Sequence, residues 1–211
     1  MPSTSQWIAF LVASILFIQV PGPSLLFTIG RALSVGRRHA LLSVVGNALG
    51  VFGQVLFVAV GLGALVAASA TLYTAIKLCG AAYVCWLGFQ AIRHRSDARL
   101  ALRSAAPVAS RSRHRSVLTG VTVGLTNPKT LVFFVAFLPQ FLDRSAGHAG
   151  LQLAVLGAVF GLMACCSDSV WALAAARARD WFGRRPERLD RLGVAGGVMM
   201  IGLGATLVAT E

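Results

Sequence analysis

Asp168, Lys129 and Lys77 are charged residues placed inside long apolar stretches of the sequence. A charge at the centre of a membrane-crossing helix costs about 2.5–3.5 kcal/mol on insertion scales, so each needs a task or a partner. Asp168 has three candidate roles: proton carrier, counter-ion for an ammonium group, or structural partner of Lys129. It shares a helical face with Gly157, Gly161, Ala164, Cys165, Ala172 and Ala175, which keeps its carboxylate away from lipid. Lys77, close to Tyr73, either snorkels to the membrane surface or faces a cavity.

Two proline breaks carry further chemistry. Pro21-Gly22-Pro23-Ser24 and Asn127-Pro128-Lys129-Thr130 each interrupt an apolar stretch. Proline lacks an N–H and clashes with the carbonyl four residues back, so the breaks should free the carbonyls of Phe17, Gln19 and Gly124. Such groups are tolerated in hydrocarbon only where protein or a wet cavity satisfies them. Past each break a new half-helix starts, with Ser24 or Thr130 expected as its cap and free N–H groups that attract a carboxylate. Prolines that merely kink packed helices are the plainer alternative. Asn47, Gly50, Gln54 and Gly61 form one polar and small stripe, which either lines the same cavity or joins helices by hydrogen bonds.

The elements that must position these residues follow from composition. Of 211 residues, 56% are hydrophobic and only 12% charged, and the mean hydropathy is +0.75. An ordinary soluble domain carries about a quarter charged residues, so an integral membrane protein is indicated. Six stretches of spanning length occur at about Trp7–Ile29, Leu41–Ala68, Thr71–Ile92, Val117–Leu142, Gly150–Ala176 and Leu192–Ala209. Met1–Gln6 carries no Lys or Arg, so the first stretch reads as a span and not as a cleaved leader.

The net charge of +12 is distributed by side. Arg31, Arg37 and Arg38 follow the first span; Arg93, Arg95, Arg99, Arg103, Arg111, Arg113 and Arg115 follow the third; and Arg177, Arg179, Arg184, Arg185, Arg188 and Arg191 follow the fifth. The opposite side has Arg144 alone. The positive-inside rule makes the Arg-rich side cytoplasmic and puts both termini outside the cytoplasm. The basic linker at about 93–116 has no aromatic residue between its arginines, so no nucleic-acid partner is expected.

The halves align. Pro21–Phe27 lies over Asn127–Phe133, Gly46 and Gly50 match Gly157 and Gly161, and Gly80 and Gly88 match Gly196 and Gly204. A three-span unit repeated once inserts in opposite orientations. The expected fold is an all-α integral membrane protein of six transmembrane helices, an inverted 3+3 repeat with proline-broken helices one and four. The whole chain, 1–211, is then one transporter domain, with repeat one at about 7–92 and repeat two at about 117–209.

Cys79, Cys85, Cys165 and Cys166 fall in spans without CxxC spacing, and His39, His94, His114 and His148 are dispersed in loops. No metal or cofactor is expected. An intramembrane enzyme would need an acidic or histidine companion for Asp168, and no span supplies one.

Pro-Gly-Pro in span one, Asn-Pro-Lys in span four, Lys77–Gly88 in span three, and span five with Asp168 and Trp171 followed by an Arg-rich turn and Gly196–Leu203 resemble the LysE superfamily of amino-acid exporters. The similarity is to its homoserine/threonine resistance branch and runs along the whole chain. It implies a multi-pass exporter of amino acids or close derivatives (homoserine, threonine or lysine-like) in the inner membrane, driven by protons as an antiporter. Its partners would be a small-molecule substrate, protons, the bilayer and a second copy in a homodimer. The candidate substrate-binding residues, read from the breaks, the charges and the polar stripe together, are Pro21, Gly22, Pro23, Ser24, Asn47, Gln54, Lys77, Asn127, Pro128, Lys129 and Asp168. Where some relatives carry an acid after Pro-Gly-Pro, this chain has Ser24. The alternatives are a thiol-redox carrier, although no cysteine lies beside the prolines, and a membrane-embedded enzyme.

Overall fold

The structure is a computed structural model that describes residues 1–68, 70–96, 112–143, 145–178, 181, 184, 185 and 187–209. Among these, the regular elements are all helical. In chain order they are α1 (Thr4–Gln19), α2 (Pro23–Val35), α3 (Arg37–Ala68), α4 (Ala70–Arg93), α5 (Arg113–Thr126), α6 (Pro128–Val132), α7 (Ala149–Arg177) and α8 (Glu187–Ala209). A π-helical turn, Phe133–Phe137, and a 3₁₀ turn, Leu138–Phe141, extend α6. Residues 97–111 of the expected linker, with Arg99, Arg103 and Arg111, lie outside the described residues, as do Arg144 and Arg179.

Local chemistry sets these boundaries. Ser3 and Gln6 form a reciprocal capping box at the start of α1. The break at Pro21-Gly22-Pro23 bends α1 against α2 by 51°, and the break at Asn127-Pro128 bends α5 against the α6 segment by 42°. Proline occupies the first turn of both α2 and α6, where its missing N–H costs nothing. By length and composition α3 over Arg37–Gly61 and α7 over Ala149–Arg177 can each cross a membrane, as can each bent pair counted as one span. Phe57 and Val60 are 79% and 82% exposed, and Leu162 and Val170 are similarly open, so large apolar side chains face outward as in a bilayer.

The tightest crossing joins the halves of the chain. On α3, a Cβ at Gly46 or Gly50 would fall 2.0 Å from the Val117 carbonyl oxygen or 2.4 Å from that of Val121. On α5, one at Gly120 or Gly124 would lie 2.1 Å from the Ser43 carbonyl oxygen or 2.2 Å from that of Asn47. Backbone therefore rests on backbone, the membrane use of small residues at helix interfaces. Gly157 meets Val55 side-chain atoms instead, and Gly161 has only Val51 at 3.9 Å. Gly46 and Gly50 thus occupy surroundings unlike those of Gly157 and Gly161, with which they align in sequence. Gly124→Val is expected to prevent accumulation of folded protein, while Gly30→Ala, with nothing within 4 Å of its Cβ, leaves it at the parent level. Size-exclusion profiles of fluorescently tagged variants check this.

Between these helices lies a phenylalanine core. Phe133 stacks on Phe137 and Phe160 at 5.5 and 4.6 Å, and Phe17 packs on Phe133 at 4.5 Å. These rings seal one side of the polar centre.

Candidate functional site

The two proline breaks, about half the chain apart in sequence, meet at the centre of the fold. Asn127 Nδ2 donates to Ser24 Oγ at 2.6 Å, Ser24 Oγ donates to Asn47 Oδ1 at 3.1 Å, and Asn47 Nδ2 donates to Asp168 Oδ2 at 3.2 Å. A continuous chain of hydrogen bonds thus ties α2, α3, α7 and the start of α6 together. The predicted stripe on α3 divides in two. Asn47 joins Asp168, whereas Gln54 turns to the second break, donating to the Leu125 and Asn127 carbonyls and accepting from Thr130 Oγ1 at 2.7 Å.

Lys129 reaches across to the first break. Its ammonium donates to the carbonyls of Phe17 at 2.7 Å and Val20 at 2.5 Å, and lies 4.6 Å over the Phe17 ring. Carbonyls at the end of α1 carry the negative pole of that helix and accept a cation well. The Phe17 carbonyl also accepts from the Val20 N–H, so the group expected to be freed there has two donors. The ammonium's third donor is not used by these two carbonyls.

The expected caps need correction. Neither Ser24 nor Thr130 caps its half-helix. Gly22 stands at the N-cap of α2 without a side-chain bond, and Asn127 caps α6 by accepting from the Lys129 backbone N–H at 3.0 Å. Pro23 is itself the first residue of α2, so the cap falls at Gly22 before it and not at Ser24 after it. Ser24 and Thr130 are thereby released for bonds across helices. Gly22 is needed for closeness, since a Cβ there would lie 2.7 Å from Lys129 Cδ.

Ser24, Asn47, Asn127, Lys129, Thr130 and Asp168 line one cavity together with Gly22 and Phe160. Its volume of about 30 Å³ has room for about one water. Asn47, Asn127, Lys129 and Asp168 are all buried, between 3% and 6% exposed. Pro21 and Pro23 face a neighbouring cavity of about 450 Å³ between α2, α4 and α8, of which Gly22 forms part of the shared wall. Pro128 is half-buried at the α5–α6 bend. Lys77 falls on α4, away in sequence from both breaks, and its side chain lies outside the described residues.

Sequence reasoning missed a second polar cluster. Arg31, taken from the sequence for a loop cation, is inside α2 and 8% exposed. Its Nε donates to Ser43 Oγ at 3.1 Å and its NH2 to Ser116 Oγ at 2.9 Å, with His39 Nδ1 3.0 Å from the same Ser116 hydroxyl. Thr28 lies between Ser24 and Arg31 on that face, with a fully buried hydroxyl that has no partner among the described residues. The spacing Ser24, Thr28, Arg31 on α2, matched by His39, Ser43, Asn47 on α3, was a readable helical stripe. The apolar run before Arg31 masked it.

Residues 15–211 match the LysE type translocator family. The chain belongs to that family. This LysE type translocator is 35% identical over 206 residues to an uncharacterized membrane protein of Vibrio cholerae, with 97% of each chain covered. It is 30% identical over 205 residues to the homoserine/homoserine lactone efflux protein of Salmonella typhimurium, again with 97% of each covered. A leucine efflux protein of Salmonella choleraesuis is 25% identical over 205 residues, which covers 96% of this chain and 94% of the relative. No solved structure matches it. Family and apolar helices together make the translocator a multi-pass membrane protein.

Proposed function

We propose that the chain is a secondary exporter of amino acids or close derivatives, homoserine, threonine or lysine-like, across the inner membrane, coupled to protons by antiport. The observation that carries the reading is the meeting of two proline breaks from opposite halves around one small cavity lined by a buried lysine and a buried aspartate. An α-amino acid is a small zwitterion, and this cavity offers the complementary pair. The third donor of the Lys129 ammonium meets the carboxylate, while Asp168 takes the ammonium group or the coupling proton.

With room for about one water, the cavity is too small for an amino acid as it stands. Admitting an amino acid requires α2 and α6 to part at the Ser24–Asn127 contact, which is the hinge-like rocking of one repeat against the other in inverted-repeat transporters. Relatives named for homoserine and leucine efflux support an amino-acid cargo. The described arginines also support the orientation, because Arg37, Arg38, Arg93, Arg95, Arg113, Arg115 and Arg177 stand at helix ends on the side the positive-inside rule makes cytoplasmic, leaving both termini outside the cytoplasm.

The test is export from cells loaded with each amino acid in turn, with and without the protein. Faster loss of a subset that includes homoserine or threonine, abolished by collapsing the proton gradient, is the expected result. Equal loss of every amino acid in both strains would overturn the reading.

A further inference from the structure

The Arg-rich end of the fold does more than mark a side of the membrane. Arg177 ends α7, Arg184 and Arg185 lie between α7 and α8 in the chain, and Arg188 and Arg191 stand in the first turns of α8, where Glu187 and Asp190 are the acids. Between α2, α7 and α8 there is a cavity of about 600 Å³ whose walls include Ile29, Ala174, Ala175 and Leu192. Trp171, Trp181, Arg188 and Arg191 complete its lining. Trp181 and Arg188 also belong to an adjoining cavity of about 610 Å³ lined by Arg177, Arg184 and Arg185. The Arg188 guanidinium lies 3.5 Å from the Trp181 ring centre and donates to the Trp181 carbonyl, which fixes it at the junction of the two spaces.

An apolar slot between helices that continues into a cluster of guanidinium groups complements one class of molecule, an amphiphile with an anionic head. We propose that this is a binding site for an anionic phospholipid of the Arg-rich side's leaflet. The phosphate is held by Arg184, Arg185 and Arg188, and an acyl chain fills the slot against Ile29, Ala174 and Leu192. Guanidinium forks bind phosphate oxygens in pairs, and basic pockets between spanning helices select acidic headgroups. A soluble phosphate would use the cations and leave the apolar walls unfilled; a zwitterionic lipid would fill the walls and bring no net charge. Two tryptophans at this level fit the headgroup boundary. The inference rests on the membrane reading of the chain and not on transport. Its consequence for transport is direct, because the slot lies between α2, which carries Ser24, and α7, which carries Asp168 three residues before Trp171. An acyl chain there braces against α7 the helix α2, whose parting from α6 opens the central site.

The test uses the full chain purified in a neutral detergent. Lipid retention by native mass spectrometry and the melting temperature are measured with phosphatidylglycerol, with phosphatidylcholine of the same chains, and with sn-glycerol 3-phosphate alone. Phosphatidylglycerol is expected to be retained and to raise the melting temperature, and the other two are not. Arg184→Gln/Arg185→Gln and, separately, Ala174→Phe, which fills the slot without changing charge, should each weaken retention roughly tenfold. The exposed pair Arg37→Gln/Arg38→Gln should change it less than about twofold, as general surface charge is screened. Should the arginine variant fail to fold, as shown by its melting without lipid, the Ala174→Phe variant decides. Equal retention of phosphatidylcholine, an equal effect of glycerol phosphate, unchanged retention in Ala174→Phe, or an equal loss in the Arg37/Arg38 pair would each overturn the site. None of these readings depends on amino-acid export, so the two proposals fail separately.

Discussion

Lys129→Met should reduce export at least tenfold and also lower the melting temperature of the purified protein. Methionine keeps the length and the apolar stem of lysine, so the change isolates the ammonium group. In the folded protein that group satisfies the carbonyls of Phe17 and Val20, which the Pro21 and Pro23 break leaves at the end of α1. The Phe17 carbonyl keeps the Val20 N–H, but the Val20 carbonyl is left without its donor, which costs about 1–3 kcal/mol. Removal of the cation that meets the substrate carboxylate adds a loss confined to transport, and truncating one side of a buried charged contact costs about 2–5 kcal/mol of binding. Lys129→Arg distinguishes the two effects. A guanidinium can still donate to both carbonyls and should recover much of the melting temperature, but its planar fork is larger than the cavity, so export should stay low. Melting curves and initial export rates on the two variants provide the comparison.

The second large effect belongs to Asp168→Asn. Asparagine preserves size and can keep a bond to Asn47 by reorienting its amide, so the chain of bonds through Ser24 to Asn127 survives. Only the ability to gain and lose a proton, and the negative charge, are removed. Export driven by a pH gradient should fall by about an order of magnitude or more while the protein still folds. If Asp168 merely neutralises Lys129, the single change leaves a buried cation uncompensated, and Asp168→Asn with Lys129→Gln should regain stability and part of any transport loss. The exporter account has the double variant inactive however well it folds. In the structure Lys129 donates to backbone carbonyls and Asp168 accepts from Asn47, so each charge has hydrogen-bond partners of its own.

Much of this site could be read from residue types alone. Proline doublets, a lysine beside a proline and a lone aspartate among small residues are each costly in hydrocarbon, and a shared polar centre is the cheapest arrangement for all of them. What spacing along one chain cannot supply is which partner each finds across the fold. Gln54 and Asn47 lie on one stripe of α3, yet they turn to different breaks because Asn127 and Thr130 reach Gln54 first. Ser24 reads as a cap, yet Pro23 moves the cap back to Gly22 and frees the hydroxyl. Arg31 reads as a loop charge because hydropathy ends the span before it. In the fold α2 continues to Val35, and hydroxyls from Ser43 and Ser116 enclose the guanidinium. Buried arginine bound by neutral hydroxyls leaves little trace in a hydropathy profile.

Thiol protection at the junction of the two breaks tests the central claim most directly. In a background with Cys79, Cys85, Cys165 and Cys166 replaced by alanine, Ser24→Cys places one thiol on the cavity wall between Asn47 and Asn127. Its labelling by a small membrane-permeant thiol reagent is followed in active protein, with and without a saturating exported amino acid. Labelling should slow by roughly tenfold with that amino acid and stay unchanged with one that is not exported, because bound substrate covers the thiol. An identical labelling rate under both conditions, in a variant that still exports, would place the substrate site elsewhere.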